Sequence, residues 1–438
     1  MEKKEINWSR REFIGSVAAA SALMVACKGT SSTVELNLPP MLDVAPDGPL
    51  IKVGVVGCGG RGTGAALNFL AAGPNLEVAA LADTFQDRLN SARENIEERM
   101  SKRILDDHCF VGIDSYKKIL ETDVDMVILA TPPHFRPEHF AATVDAGKHV
   151  FMEKPVAVDP VGIRMIMETA DKADTLGLKI VTGTQRRHQN DYVETYKRIV
   201  DGAIGEIMAA RCYWNQGQLW YRQRQSTWSE MEAMLRDWVN WCWLSGDHIV
   251  EQHVHNIDVI NWFTGMHPVK AVGFGARMRR VTGDQYDFFN VDFEMPNGMH
   301  VHSMCRQING CANNVSEFIV GTKGSTNCRD KIYKKDGSIA WEYDSTIKEI
   351  TGDTPYVQEH IDLITAIRTN VPINEAKNTA ISTMSAIMGR QSAYTGLETT
   401  WDEMMASDLR LGPAEYKMGD VDLDAVIPIP GQEMPQRS

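Results

Sequence analysis

From residue 51 onward the hydrophobic pattern switches repeatedly between two periods. IKVGVVG (51–57) is a short β-branched apolar run closed by glycine, as in a strand buried on both faces. GTGAALNFLAA follows with helical spacing, and LEVAALAD (76–83) is a second apolar run. VDMVILATP (124–132), KHVFMEKP (148–155) and LKIVTGT (178–184) add further strands, with helical stretches near 85–103, 116–121 and 136–146 between them. Strand alternating with helix predicts a doubly wound parallel sheet over residues 50–182.

Past residue 183 the texture changes. Helical patterns over 190–202 and 246–263 flank a segment crowded with tryptophan. VKAVGFGARM, FNVDFEMPNGMHVHSMCRQ and SEFIVGTKG read as strands, and their Pro-Asn-Gly and Thr-Lys-Gly turns predict a largely antiparallel sheet. A second α/β domain is therefore expected over 183–354. VQEHIDLITAIRTN and AKNTAISTMSAIMGRQSAY return to helical spacing within 355–412, ahead of a mostly extended tail, 413–438.

The N-terminal residues carry a different signal. Ser9-Arg10-Arg11-Glu12-Phe13-Ile14 is a twin-arginine pattern, followed by the apolar run GSVAAASALMVAC. That run, about a dozen residues, is too short to span a bilayer and suits a signal peptide. Ala26-Cys27 fits a lipoprotein cleavage site with Cys27 as the lipidated residue, although Met24 stands where leucine is commonest. Residues 1–27 are thus read as an export signal and 28–49 as a polar, Pro-rich linker. The expected location is the periplasm or an anchored lipoprotein, with membrane contact only through the signal or its lipid.

A length of 438 residues suggests two or three domains. The net charge of −13 argues against a nucleic-acid partner, which needs a basic footprint, and leaves a neutral sugar open. None of the eight cysteines forms a Cys-x-x-Cys pair, which speaks against a zinc ribbon or a thioredoxin-like motif.

Gly57-Cys58-Gly59-Gly60-Arg61-Gly62 is a G-x-G-x-x-G set directly after a strand and opening a helix. Such glycines allow a tight turn and close backbone approach, and the helix N-terminus attracts a pyrophosphate. Asp83 ends the next strand, where an acid accepts ribose hydroxyls and repels a 2′-phosphate, so NAD is the expected cofactor. Glu153-Lys154-Pro155 follows a strand whose C-terminus faces the ligand crevice of an open sheet. In GDHIVEQHVHNIDVINWF (246–263), a continuous helix puts His248, Glu251, Gln252, His255 and Asp258 on one polar face and His253 on the apolar back. An imidazole such as His255 suits removal of a hydroxyl proton, with Glu251 one turn earlier to orient it. No H-E-x-x-H spacing is present, and no metal is expected.

Taken together, the glycine loop, the E-K-P step and the helix histidine resemble the Gfo/Idh/MocA oxidoreductases over roughly residues 50–412. The resemblance implies that Lys154 and His255 act at the hydride-transfer site. Where the family often has Asp four residues before that histidine, this chain has Glu251. The resemblance also implies a Rossmann domain followed by an α/β domain whose open sheet floors the cleft and forms an interface in a homo-oligomer, with C-terminal helices packing back near the first domain. By the same resemblance TPPHFRPEH (131–139) and TGTQRRHQ (182–189) are cofactor or substrate loops, which nominates Thr131, Pro132, His134, His139, Gln185 and Arg186 beside Glu153.

Six of ten tryptophans fall between Trp214 and Trp243. Aromatic faces suit sugar rings, which nominates Trp214, Trp220, Trp238, Arg222 and His248 as substrate contacts. Twin-arginine signals export proteins already folded, so a cofactor can be carried out in place and must then stay bound. The resulting expectation is an exported NAD-dependent enzyme that oxidises a ring hydroxyl of a glycoside or polyol, at C3 by family resemblance. The alternative is a redox-neutral glycosidase that oxidises, eliminates and reduces, as in glycoside hydrolase family 109. That family has a Tyr-x-Thr-His stretch where this chain has VEQHVHNID, and lacks a close match to EKPVAV.

Overall fold

Six parallel strands make the first sheet: β1 (Ile51–Val56), β2 (Leu76–Asp83), β3 (Cys109–Val111), β4 (Met126–Leu129), β5 (His149–Met152) and β6 (Ile180–Thr182). Their order is β3-β2-β1-β4-β5-β6, so the direction of winding reverses between β1 and β4. That reversal opens a crevice at the carboxyl ends of the strands. The computed structural model describes residues 38–344, 346, 354–423 and 426–432; the twin-arginine stretch and Cys27 lie outside them.

The centres of the strands are apolar because both faces are covered. Val53, Val55 and Ile128 pack with Phe69, Leu89 and Ile96 from the helices Gly60–Ala71 and Gln86–Met100. Ile361 and Ile364 of the helix Thr354–Thr369 join the same cluster. On the opposite face Val127 and Met152 meet Phe140, Ile163 and Ile166.

The second sheet has nine strands: β7 (Ile207–Gln216), β8 (Lys270–Ala276), β9 (Phe288–Glu294), β10 (His300–Gln307), β11 (Asn314–Gly321), β12 (Gly324–Thr326), β13 (Lys331–Lys334), β14 (Ile339–Glu342) and β15 (Thr399–Thr400). The order is β14-β13-β12-β11-β7-β10-β9-β8-β15. Only β7 and β10 pair in parallel, and the rest is antiparallel, as expected. β7 itself is not foreseen as a strand, because IMAARCYWNQ shows no clean apolar alternation. Along β10, Val301, Ser303, Cys305 and Gln307 are buried while His300 and His302 are exposed. The buried side faces the helices Val254–Thr264 and Ala376–Thr395; on the other side Val272 and Phe274 stay exposed. No described helix is long and apolar enough to cross a membrane.

Candidate active site

The glycine loop is shaped by close backbone contacts. Gly57 has φ 95°, and a Cβ there would lie 2.7 Å from the Ala130 and Thr131 backbone. A Cβ at Gly62 would lie 1.7 Å from the Gly57 carbonyl oxygen. Only glycine fits either position. The helix Gly60–Ala71 then begins with no side-chain cap and no acid in its first turn, which leaves its N–H groups and positive end for an anion. Asp83 braces the loop: one carboxylate oxygen accepts from the Cys58 N–H at 2.7 Å and the other from the Phe85 N–H at 2.8 Å. Burial pushes its pKa above the usual carboxylate range.

A cavity of about 400 Å³ lies over this loop. Gly57, Gly59, Gly60, Arg61, Gly62, Asp83, Thr131, Pro132 and His139 line it, all nominated from sequence. The His139 ring shares a hydrogen bond of 3.2 Å with the Thr131 hydroxyl, and burial lowers its pKa to about 3. A glycine cradle, an uncapped helix start and an acid at the end of β2 fit a dinucleotide. The residues that would hold it are those of the loop and Asp83.

Beside the loop, Arg61 binds Glu153, and Gly183 gives that carboxylate room, since a Cβ there would lie 2.5 Å from it. Arg61 also lies over the Tyr356 ring at 4.8 Å and 3.8 Å from Glu359, whose carboxyl is fully buried without a hydrogen bond. Burial, reinforced by the Glu153 charge, holds Glu359 well above the usual range. Tyr356 and Glu359 sit on the helix Thr354–Thr369, and nothing local in the sequence links that helix to the loop.

Lys154 precedes a cis peptide to Pro155. Its ammonium donates to the Glu251 carbonyl at 2.6 Å and to the Glu251 carboxylate at 3.3 Å. Both side chains are about one-tenth exposed. Three N–H donors with two engaged leave one for a ligand.

The continuous helix expected over 246–263 is broken in two, His248–Glu251 and Val254–Thr264. Asp247, at φ 70° and ψ 162°, holds a backbone conformation that other L residues rarely adopt. Its carboxylate accepts from the backbone N–H groups of His248 and Tyr286, from the His248 ring and from the Tyr394 hydroxyl. The break dissolves the single polar face. His248 turns into a buried network with Asp247 and Arg280. Asp258 pairs with Arg187 through two bonds of 2.9 Å. Glu251 serves Lys154 and Gln252, and no hydrogen bond to His255 is found.

His255 remains beside Lys154, with its ring stacked on Trp214 at 5.6 Å. Burial, then the charges of Lys154, Arg186 and Arg61, hold it well below the usual histidine range. It is therefore a neutral imidazole at neutral pH. His253 packs, as expected, against Ser303 at 2.7 Å.

The remaining nominated residues separate. Arg186 is bound at 2.5 Å to buried Glu317 and lies over Trp214 at 5.6 Å. Gln185 opens the short turn Gln185–His188, with its amide oxygen buried and unpartnered. His134 is displaced from the cavity wall: its ring meets the Tyr416 hydroxyl at 2.7 Å and packs edge-on to Trp243 at 5.1 Å. The tryptophans do not form one platform. Trp220, Arg222 and Trp238 line the glycine-loop cavity, Trp214 faces His255, and Trp243 is core. Among the described residues no cluster of three or more His, Cys, Asp or Glu is placed to hold a metal.

Residues 51–179 match the oxidoreductase family GFO/IDH/MocA, NAD-binding Rossmann fold, and residues 192–327 match the GFO/IDH/MocA C-terminal domain; together they span more than half of the chain. The chain belongs to the Gfo/Idh/MocA family. Its first domain is that family's NAD-binding Rossmann domain. A glycosyl hydrolase family 109 protein of Streptomyces coelicolor is 28% identical over 210 residues, 45% of this chain and 43% of that protein. The scyllo-inositol 2-dehydrogenase (NADP+) of Bacillus subtilis is 27% identical over 172 residues, 39% of this chain and 43% of that protein. The chain thus spans less than half the length of these curated relatives. The scyllo-inositol dehydrogenase of Lactobacillus casei, solved with bound cofactor NAD(H) and scyllo-inositol, superposes with a TM-score of 0.60 at 20% identity, covering 82% of this chain and 100% of that one. Aldose-aldose oxidoreductase of Caulobacter crescentus superposes at 0.62 and 17% identity, covering 80% and 99%.

Proposed function

We propose that this chain is an exported oxidoreductase that moves a hydride between tightly held NAD and a ring hydroxyl, at C3, of a glycoside or related polyol. Bound NAD supplies the hydride acceptor. The observation that carries the reading is the meeting of Lys154, held by Glu251, with the neutral ring of His255 beside the glycine loop. His255 takes the hydroxyl proton at a ring nitrogen, because a neutral imidazole has a lone pair to offer. Lys154 uses its third N–H to hold the same oxygen, and that hydrogen bond strengthens as negative charge develops there. Glu251 fixes the ammonium so that no reorganisation is needed. Trp214, stacked on His255, limits the ring to one orientation. Relatives that act on a cyclic polyol by name support a polyhydroxylated substrate. The twin-arginine pattern and Cys27 support export and anchoring.

A second reading is favoured by the family 109 relatives: oxidation, elimination of the aglycone and reduction in one cycle, with no net redox change. The two are separated on full-length purified protein. Its bound nucleotide is released by denaturation and identified, and reduced-nicotinamide absorbance is followed while glycosides and inositols are added. Lasting reduction with a keto product is expected. Lys154→Met and His255→Ala should each lower the rate about 10²- to 10⁴-fold without releasing nucleotide. Free sugar without lasting reduction selects the glycosidase, and protein that carries and binds no nucleotide defeats both.

A further inference from the structure

Two arginines in the wall of the glycine-loop cavity, Arg88 and Arg222, form no salt bridge among the described residues. Arg88 comes from the helix Gln86–Met100 and lies against the loop, where a Cβ on Gly59 would stand 3.0 Å from its Nη1. Arg222 reaches the same cavity from the second domain, on the stretch between β7 and the helix Glu230–Arg236. The Arg222 backbone N–H donates to Asp237 at 2.7 Å, and its guanidinium lies over Trp220 at 5.6 Å. Burial, then the Arg222 and Arg236 charges, hold Arg88 below the usual arginine range although Asp83 opposes them. Asp83 also lines the cavity, but both its carboxylate oxygens are taken by backbone N–H groups, so an anion that enters between the two arginines meets two positive charges.

The stretch that carries Arg222 is tied down on both sides. Arg236 donates to both Asp87 carboxylate oxygens at 3.1 Å, bridging to the Rossmann domain, and covers the ring of Phe85 at 4.0 Å. On its outer side the Met231 N–H donates to the Gly419 carbonyl at 3.0 Å, and the Val421 N–H to the Glu230 carboxylate at 2.9 Å. Trp220 and Trp238 stand edge to face at 6.2 Å and complete the wall. A nucleotide bound in the cavity is therefore enclosed by a part of the other domain that does not swing freely.

We propose that Arg88 and Arg222 grip a phosphate of the dinucleotide from opposite sides, and that residues 217–238 are a clasp that keeps the nucleotide bound through many turnovers. The clasp rests on the reading of this cavity as the dinucleotide site. It turns three residues expected to touch sugar into residues that retain cofactor.

The test uses the full chain loaded with NADH. Release is followed by the loss of NADH fluorescence after mixing with excess NAD, and NADPH is run in parallel. Arg222→Met removes one charge-assisted contact and should speed release about ten- to a hundredfold. Asp87→Asn, which lies outside the cavity, should speed release in the same direction by loosening the Arg236 tie. An equal effect on both nucleotides assigns the grip to the diphosphate, and a larger effect on NADPH assigns it to the 2′-phosphate. NADH release as slow in both variants as in the parent protein overturns the clasp. A parent protein that binds neither nucleotide overturns the reading of the cavity instead.

Discussion

Arg186→Met is the perturbation whose cost the structure fixes best. The guanidinium is bound at 2.5 Å to Glu317, and the two side chains are 12% and 2% exposed. Removing one partner of a buried pair leaves the other charge without compensation, at about 3–5 kcal/mol. Glu317 keeps hydrogen bonds from the Asn256 amide at 2.5 Å and the Tyr192 hydroxyl at 3.0 Å, so the cost belongs near the lower end, about 3 kcal/mol. Against the ~5–15 kcal/mol that holds a typical protein folded, that is a large fraction. Glu317→Gln in the same chain removes the stranded charge: the amide oxygen still accepts from Asn256, and the NH2 in place of the other oxygen can donate to the Tyr192 hydroxyl. The double variant should recover about 2 kcal/mol of the loss, a coupling expected for groups in direct contact. The assay is urea unfolding of all four members of the cycle, followed by both fluorescence and circular dichroism so that coincident transitions establish a single step. A cost below about 1 kcal/mol for Arg186→Met, or a double variant whose loss equals the sum of the singles, would refute the argument.

Three further outcomes are expected. His255 must be neutral to accept a proton and its pKa is depressed, so activity is retained below the ordinary histidine pKa of about 6.5 and lost only as pH falls through the lower folded value. Lys154→Met removes a charge that lowers it, so the acid limb of the pH–rate profile should move upward; a parent limb at or above about 6.5 would contradict this. Burial holds His139 near 3, so the unfolded chain binds more protons than the folded one between about 6.5 and 3, and stability falls as pH drops through that window. His139→Phe should flatten the acid dependence of unfolding by about 1.4 kcal/mol per pH unit, and an unchanged slope would count against a buried neutral ring. Gly62→Ala places a Cβ 1.7 Å from the Gly57 carbonyl oxygen, so it should cost about 3 kcal/mol or abolish NADH binding, as calorimetry would record.

What could be read ahead of the structure was local in the chain. The glycine loop and Asp83 announce themselves because their spacing is set by one strand, one turn and one helix. Lys154 does so because it closely follows a strand. The structure departs from the local pattern where a distant segment decides the outcome. The helical wheel over 246–263 assumed regular backbone, and Asp247 breaks it because Tyr286 and Tyr394 hold its carboxylate in place. Glu251 looked like a partner for His255, yet Lys154, from another domain, captures it. Trp220 and Trp238 line the glycine-loop cavity while Trp214 stacks on His255, a separation that composition does not show because it records clustering without direction. Arg61 reads only as a loop residue until Tyr356 and Glu359 meet it in space.

The pairing of β7 has a consequence for how the chain acquires its shape. Ala210 lies in register with Val301 on one side and Ile319 on the other, so β7 has no strand partner until β10 exists and is not paired on both sides until β11 does. The first sheet waits as well, since Ile180 on its β6 edge bridges to Asn374 and the Thr182 N–H is taken by Glu375. Two unpaired edges therefore stay exposed together while the chain emerges, which is the condition for strand-to-strand aggregation. Contacts this distant in sequence also form slowly. Any shortening that removes residues 373–375 leaves the Rossmann sheet with an open side rather than merely without a neighbour.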